Sequence, residues 1–438
     1  MKKTVLCLLI ILAVFTLMGK APRYVFLFIG DGMSLPQRML AEEFSRKTGK
    51  GPLCMNSFPY SAMTRTVSAN SLTTDSAAAA TAIACGVKTN NGRIGTDPAN
   101  KKLYSVAEKS RDKGKKVGII TTVTLNHATP SGFYGHRKSR TEYYELALDL
   151  VASNFDFFGG GGIAKYNKKS PDIFALAEKN NYKVSRGKTG LAGMKKGDKN
   201  IFLASSDKSN MPYALDAESF IPTLADITEK AIELLENPNG FFIMVEGGLI
   251  DYAGHGNETA ANLYETLAFD AAVKKAYAFY KKHPDDTLIL VTGDHETGGL
   301  TLGVTGGAFK PEVLVHQKCS ANIFKSKLEA LQKAGSIKSF EDVKPLITKY
   351  CGFQFSGDSK KNPMILSGKD QQELAKAYAS KKLHNALRLL VNKKAGTGWT
   401  TGSHTAVPVI TTAVGNNAEK FFGLIENTDI ANILKNLL

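Results

Sequence analysis

Seven residues able to ligate a metal, Asp31, Glu246, Asp251, His255, Asp294, His295 and His404, stand at the ends of apolar runs or in glycine-flanked loops of this 438-residue chain. Taken singly, each reads as a helix cap, a turn residue or an ordinary histidine. Their number and placement point to chemistry. Asp251 and His255 are four apart, which puts both on one face if 250–256 forms a helical turn. Adjacent Asp294 and His295 reach one ion from a loop. Imidazoles mixed with carboxylates, and no thiolate, suit a catalytic zinc with open positions better than a structural one. Asp31 and Glu246, with a hydroxyl such as Thr129, suit the harder Mg²⁺. Ser76 adds a nucleophile to these ligands. It heads the alanine-rich stretch "SAAAATAIAC" of high helix propensity, where free N–H groups and the helix dipole favour an anion. Capping by Asp75 or Ser76 is the plainer reading of the same residues. Beside two metals the Ser76 hydroxyl needs no histidine base, and no G-x-S-x-G elbow accompanies it.

The elements that must position these groups follow from periodicity. "YVFLFIGDG", "KVGIITTVTLNHATP", "GFFIMVEGGLIDYAGH" and "TLILVTGDHETGGL" are apolar runs that end in polar chemistry, the pattern of strands buried on both faces. Helical spacing lies between them at 105–115, 141–153, 224–236 and 258–282. Strand alternating with helix predicts an α/β fold, a mostly parallel central sheet flanked by helices on both faces, with ligands bound at the carboxyl ends of the strands. The rhythm changes over about 305–395, a lysine-rich helical stretch read as an inserted cap. "FFGGGG" lacks the G-K-[ST] ending of a phosphate loop and reads as a tight turn.

Composition bounds the setting. Residues 1–20, two lysines and then an apolar run, have signal-peptide layout and are too short to span a bilayer stably, so an exported protein, periplasmic or extracellular, is expected. The formal charge is +16, or +13 without those twenty residues. Lysines scattered in pairs such as Lys168-Lys169 and Lys393-Lys394, without aromatic interleaving, read as solvated surface and not as nucleic acid-specific binding. Cys54, Cys85, Cys319 and Cys351 allow three pairings, among which the sequence does not choose.

The motifs "IGDGM" (29–33), "TTDSAAAATA" (73–82), "CGVKTNNGRIG" (85–95), "NHATPSGFYGHRKSR" (126–140), "VEGGLIDYAGH" (245–255), "TGDHETGG" (292–299) and "TGSHTA" (401–406) together resemble the alkaline phosphatases. The resemblance spans nearly the whole chain outside the inserted stretch. It implies hydrolysis of small phosphate monoesters, a homodimer, two zinc ions and one magnesium. Asp251, His255 and His404 would hold one Zn²⁺, Asp31, Asp294 and His295 a second that meets Ser76, and Asp31, Thr129 and Glu246 the Mg²⁺. Ser76 would form a phosphoserine intermediate, Arg140 would grip two phosphoryl oxygens, and Asp75 would orient it; Arg137 is the nearby competitor. His127 and Tyr252 fall at substrate-binding positions, His127 as in vertebrate relatives and Tyr252 matching no familiar choice.

A phosphodiesterase of the same superfamily is the alternative enzyme, and a non-catalytic exported metal- or phosphate-binding protein the alternative of another class. A sulfatase is excluded, since Ser76 is followed by alanines where a C/S-x-P-x-R setting is required.

Overall fold

The computed structural model describes residues 21–166, 171–207, 209–304, 306, 308–358 and 360–438. The leader expected over 1–20 and the Lys168-Lys169 pair lie outside them. Fourteen strands occur among the described residues: β1 (Tyr24–Gly30), β2 (Tyr60–Arg65), β3 (Lys116–Thr121), β4 (Phe157–Gly160), β5 (Tyr182–Arg186), β6 (Lys199–Leu203), β7 (Phe241–Gly247), β8 (Thr287–Gly293), β9 (Glu296–Thr297), β10 (Leu300–Leu302), β11 (Thr397–Trp399), β12 (His404–Thr405), β13 (Val409–Gly415) and β14 (Gly423–Glu426). Ten of them form one sheet in the order β14-β2-β13-β8-β1-β7-β3-β4-β6-β5. Only β13 runs against its neighbours. The short pairs β10-β11 and β12-β9 stand apart from that sheet.

The continuous apolar runs are explained by burial on both faces. Phe26 and Phe28 of β1 join one core with Leu40 and Phe44 of the helix Leu35–Lys47 and Leu263, Phe269 and Val273 of the helix Thr259–Tyr280. Val25, Leu27 and Ile29 face the other core, with Ile83, Leu150 and Ile430. Alternate residues therefore serve opposite layers, and no position on the central strands is left for water. The helices expected from periodicity appear at Val106–Asp112, Tyr143–Ala152, Leu224–Leu235 and Thr259–Tyr280. Two of them start at capping boxes that sharpen their ends, Ser105 with Glu108 and Thr223 with Asp226.

"FFGGGG" is not wholly a turn. Its first four residues are β4, paired with β3 and β6; at Gly160 a Cβ would stand 2.5 Å from the Thr121 carbonyl oxygen of adjacent β3, and the chain bends only at Gly161. The 305–395 stretch holds the helices Ala321–Lys333, Phe340–Cys351, Gly368–Ala379 and Leu383–Ala395. Its Phe324, Val343, Ile347 and Leu387 belong to the same core as Phe26. Cys54, Cys85, Cys319 and Cys351 carry free thiols. No helix among the described residues is long and apolar enough to cross a membrane.

One buried cation ties the sheet to its first helix. Arg38 is 2% exposed. Its guanidinium donates to Asn56 Oδ1 at 2.9 Å, the Met55 carbonyl at 2.9 Å, the Ile410 carbonyl at 3.1 Å and Thr412 Oγ1 at 3.2 Å. Burial lowers its pKa to about 10, and nearby Asp270 and Glu42 work the other way. Arg38→Met strands four acceptors and two acids at once. We expect a loss of about 3 kcal/mol in urea unfolding; an unchanged midpoint would refute this role.

Candidate active site

The sheet register sets the site. β7, β1 and β8 end level, with Gly247 beside Gly30 and Gly30 beside Gly293. Glu246, Asp31 and Asp294, each next to one of these glycines, therefore meet at a single edge. Gly32 completes the turn at a φ of 72°, where a Cβ would stand 2.9 Å from Asp251 Cα, and its N–H donates to Asp294 Oδ1 at 3.0 Å. From β7 the chain enters the helix Leu249–His255, whose turn puts His255 Nε2 3.3 Å from Asp251 Oδ2. β12 pairs with β9 and brings His404 opposite Thr297, so that His404 Nε2 lies 3.5 Å from Asp251 Oδ1 and 3.2 Å from His255 Nε2.

Ser76 is the first residue of the helix Ser76–Cys85, capped by Asp75, whose Oδ1 accepts from the Ala78 N–H at 3.0 Å. The Ser76 side chain is 1% exposed, and its Oγ lies 3.2 Å from His295 Nε2. The same nitrogen is 3.3 Å from Asp294 Oδ2 and 3.4 Å from Asp31 Oδ1. Thr129 Oγ1 donates to Asp31 Oδ2 at 3.3 Å.

The outer hydrogen bonds decide how the histidines face. His404 Nδ1 donates to the Thr74 carbonyl at 2.9 Å and His255 Nδ1 to the Gly402 carbonyl at 2.7 Å. Thr297 Oγ1 donates its one proton to Asp251 Oδ1, so it must accept from His295 Nδ1, 3.3 Å away. Each ring thus turns Nε2 inward, the arrangement that fixes a metal-ligating imidazole. The carboxylates are equally committed. Asp31 Oδ1, Glu246 Oε1 and Asp294 Oδ2 are buried without a hydrogen-bond partner.

Electrostatics agree with a place for positive charge. Burial, then the neighbouring acids Asp294, Asp251 and Glu246, raise the Asp31 pKa well above its ordinary value. Burial lifts Glu246 to about 8 and Asp294 to about 7. At Asp251 burial is outweighed by the hydrogen bonds from His255 and His404, which hold the carboxyl well below the usual range. The Asp251 bond in turn lifts His255 to about 9. A proton or a cation must stand where these groups meet, and three sets of donor atoms converge closely enough for one ion each: Asp251, His295 and His404; Asp31, Asp294 and His295; and Asp31, His127 and Glu246.

The two arginines separate cleanly. Arg137 is bound to the Asp149 carboxylate through Nε at 2.8 Å and through Nη2. Arg140 instead reaches Asp75 Oδ2 through Nη1 at 3.1 Å and His127 Nε2 through Nη2 at 3.4 Å. Asp75 Oδ2 also accepts from the Gly92 N–H at 3.0 Å, which fixes the carboxylate that holds the arginine. Burial, then Arg140, lowers the His127 pKa to about 3, so its ring is neutral. Tyr252 is 41% exposed, with its ring centroid 6.2 Å from that of His127.

The profile of the alkaline phosphatase family matches residues 22–159 and 165–438. The chain belongs to the alkaline phosphatase family. Membership makes the protein a metal-dependent enzyme that hydrolyses phosphate monoesters. Alkaline phosphatase 4 of Bacillus subtilis (strain 168) is 32% identical over 95% of this chain and 88% of its own length. The cold-active alkaline phosphatase of the psychrophile Shewanella sp. superposes with a TM-score of 0.84 at 28% identity, covering 95% of this chain and 99% of that one. A variant of the TAB5 alkaline phosphatase, described with Mg bound in its M3 site, superposes with a TM-score of 0.69 at 27% identity over 96% and 99% of the two chains.

Within this alkaline phosphatase site, several supporting groups escaped the reading of the sequence. Thr121 Oγ1 donates to Glu246 Oε2, and Thr297 bridges Asp251 and His295. Asn210 hydrogen-bonds the Tyr252 hydroxyl, with its Oδ1 fixed by the Thr124 N–H at 3.1 Å. Thr297 alone carried a signal: it stands two residues after His295, on the same side of an extended segment.

Proposed function

We propose that the protein hydrolyses phosphate monoesters through a covalent phosphoserine at Ser76. Asp251, His255 and His404 would hold one zinc; Asp31, Asp294 and His295 a second, beside Ser76; and Asp31, Thr129 and Glu246 a magnesium. The observation that carries this reading is the set of unpartnered buried oxygens, Asp31 Oδ1, Asp294 Oδ2 and Glu246 Oε1, next to a serine hydroxyl. Leaving three such oxygens bare has a large free-energy cost, which divalent cations remove. The donor atoms fit: imidazole with carboxylate suits zinc, and the oxygens of Asp31, Thr129 and Glu246 suit magnesium. A ring nitrogen of His127 lies within 4.8 Å of carboxylate oxygens of Asp31 and Glu246.

When bound, such cations neutralise phosphoryl oxygens and make a hydroxyl more acidic. The chain's own groups do the rest. Ser76 Oγ, at a helix N-terminus that favours an anion, gives its proton to solvent water and attacks phosphorus in line; the new O–P bond forms while the ester O–P bond breaks, and the leaving oxygen takes a proton from water and departs as the alcohol. Water then cleaves the phosphoserine from the opposite side, so configuration at phosphorus is retained. Arg140, held by Asp75, binds two phosphoryl oxygens in both steps. Tyr252 accepts from Asn210 and keeps its own proton to donate toward the phosphoryl group. Export through the segment 1–20 belongs to the same reading. So does a homodimer, supported by an apolar row on the sheet edge where exposed Met63 pairs with exposed Leu424.

A bidentate arginine rewards a terminal, dianionic phosphoryl group, whereas a diester offers one charge fewer. The zinc- and magnesium-loaded enzyme should therefore turn over p-nitrophenyl phosphate far faster than its bis-ester. Arg140→Ala should lower kcat/KM for the monoester about a hundredfold or more and the diester much less. A wild-type preference for the diester would favour the phosphodiesterase alternative.

A further inference from the structure

Residues 305–395 carry 17 lysines and arginines against seven acids, a surplus of ten out of the +16 of the whole chain. About a fifth of the protein thus holds most of its net charge. Along the sequence these lysines look scattered; in the fold they gather. In the helices of this segment Phe324, Leu328, Val343, Ile347 and Leu374 turn inward, while Lys327, Lys333, Lys349 and Lys376, and Lys382 just before the last helix, are exposed. Lys327 and Lys349, from different helices, both lie over the Tyr350 ring, 5.3 and 5.4 Å from its centroid. Gln332 donates to the Tyr378 hydroxyl at 3.4 Å, and the Phe340 and Tyr378 rings are 6.1 Å apart. Those contacts bring the last turn that holds Lys333 against the end of the helix Gly368–Ala379, which carries Lys376 and is followed by Lys381 and Lys382. Among the described residues, the lysines of this segment that form ion pairs are Lys325, Lys344, Lys393 and Lys394.

The exposed acids Glu329, Glu341, Asp342 and Glu373 offset only part of this charge; the remaining surplus repels itself, and an anionic partner relieves the repulsion. The chemistry of the patch narrows the partner. All but one of the 17 cations are lysines, flexible and strongly hydrated point charges that suit a diffuse field of headgroups and not the forked, bidentate reading that arginine provides. Phe340, Tyr350 and Phe355 lie half-buried beneath the lysines and offer no open stacking platform for bases. Exposed Ile323 and Leu389, on two of the same helices, supply the apolar anchors that interfacial surfaces use.

We propose that the outer face of this four-helix segment docks on an anionic lipid bilayer surface. The segment is fastened beside the catalytic cluster: Arg388 donates to the Gly256 carbonyl just after His255, and Asn392 Nδ2 donates to the Asn257 carbonyl at 2.8 Å. Docking therefore fixes the active site at the membrane surface without touching a catalytic group.

The test is co-sedimentation of the full, metal-loaded protein with vesicles of phosphatidylcholine alone or mixed with phosphatidylglycerol, with a duplex DNA binding assay beside it. Binding is expected only with phosphatidylglycerol and should vanish near about 1 M salt, where the screening length falls to about 3 Å. Each basic side chain near such a surface is worth about fivefold in partition. Replacing Lys327, Lys333, Lys349, Lys376 and Lys382 together with glutamine should thus lower binding at least about a hundredfold. The same change at Lys50, Lys101, Lys113, Lys179 and Lys420, which removes equal charge elsewhere, should lower it far less. Both variants should hydrolyse p-nitrophenyl phosphate like wild type, which verifies their fold, and the lipid and salt arms on wild type stand without them. Equal binding to both vesicle types, equal losses in the two variants, or DNA binding without vesicle binding would each overturn the proposal.

Discussion

Ser76→Ala should lower kcat/KM for p-nitrophenyl phosphate at least about a thousandfold while leaving fold and bound metal intact. The hydroxyl heads a helix whose N-terminus favours an anion, and its Oγ stands 3.2 Å from His295 Nε2 at the meeting point of the Asp31 and Asp294 carboxylates. Some activity survives, because the remaining charges can still orient a phosphoryl group for attack by water. Stability should barely change. Alanine is a good first residue for the Ser76–Cys85 helix, and Asp75 keeps its cap on the Ala78 N–H. A protein that only binds phosphate would show no loss on this substitution, since it would have no rate to lose.

Chelation should have a comparable effect by a different route. Three acids, Asp31, Glu246 and Asp294, are fully buried within one cluster, and burial raises each of their pKa values, Glu246 to about 8 and Asp294 to about 7. Without cations such a cluster remains buried only by taking up protons, and a protonated carboxyl no longer presents the charge that positions a phosphoryl group. Treatment with a chelator should abolish measurable hydrolysis, and zinc with magnesium should restore it. Unfolding stability should fall in parallel, by about 4 kcal/mol if the metals are normally present at a thousand times their dissociation constants. The sharpest contrast is with a metal-free Ser76–His295 pair, in which His295 would act as a simple base. Such an enzyme would keep its rate in chelator.

How much of this was legible in the sequence depends on where the physics resides. The central strands were legible because burial on both faces leaves no polar position between Tyr24 and Ile29 or between Leu288 and Val291, and because each run stops at a glycine followed closely by an acid. The level register of Gly30, Gly247 and Gly293 was not, since nothing in one strand records its neighbour. The single antiparallel strand β13 likewise looks like any other apolar run. At the site, ligand types and spacings marked Asp251, His255, Asp294 and His295. The Thr74 and Gly402 carbonyls that turn His404 and His255 inward are backbone atoms, which every residue possesses. The family resemblance prefers Arg140 to Arg137, but the physical reason, that the Asp149 carboxylate occupies Arg137, is not written in the spacing. Lys327 and Lys349, far apart in sequence and on different helices, meet over the Tyr350 ring.

The most direct measurement is mass spectrometry of peptides from the zinc- and magnesium-loaded enzyme, quenched in acid during turnover of a phosphate monoester. A gain of one phosphoryl group on the peptide containing Ser76, absent from the chelated enzyme, is the expected result. Turnover at full rate with no phosphoryl group on Ser76, or with the group on another residue, would contradict the assignment.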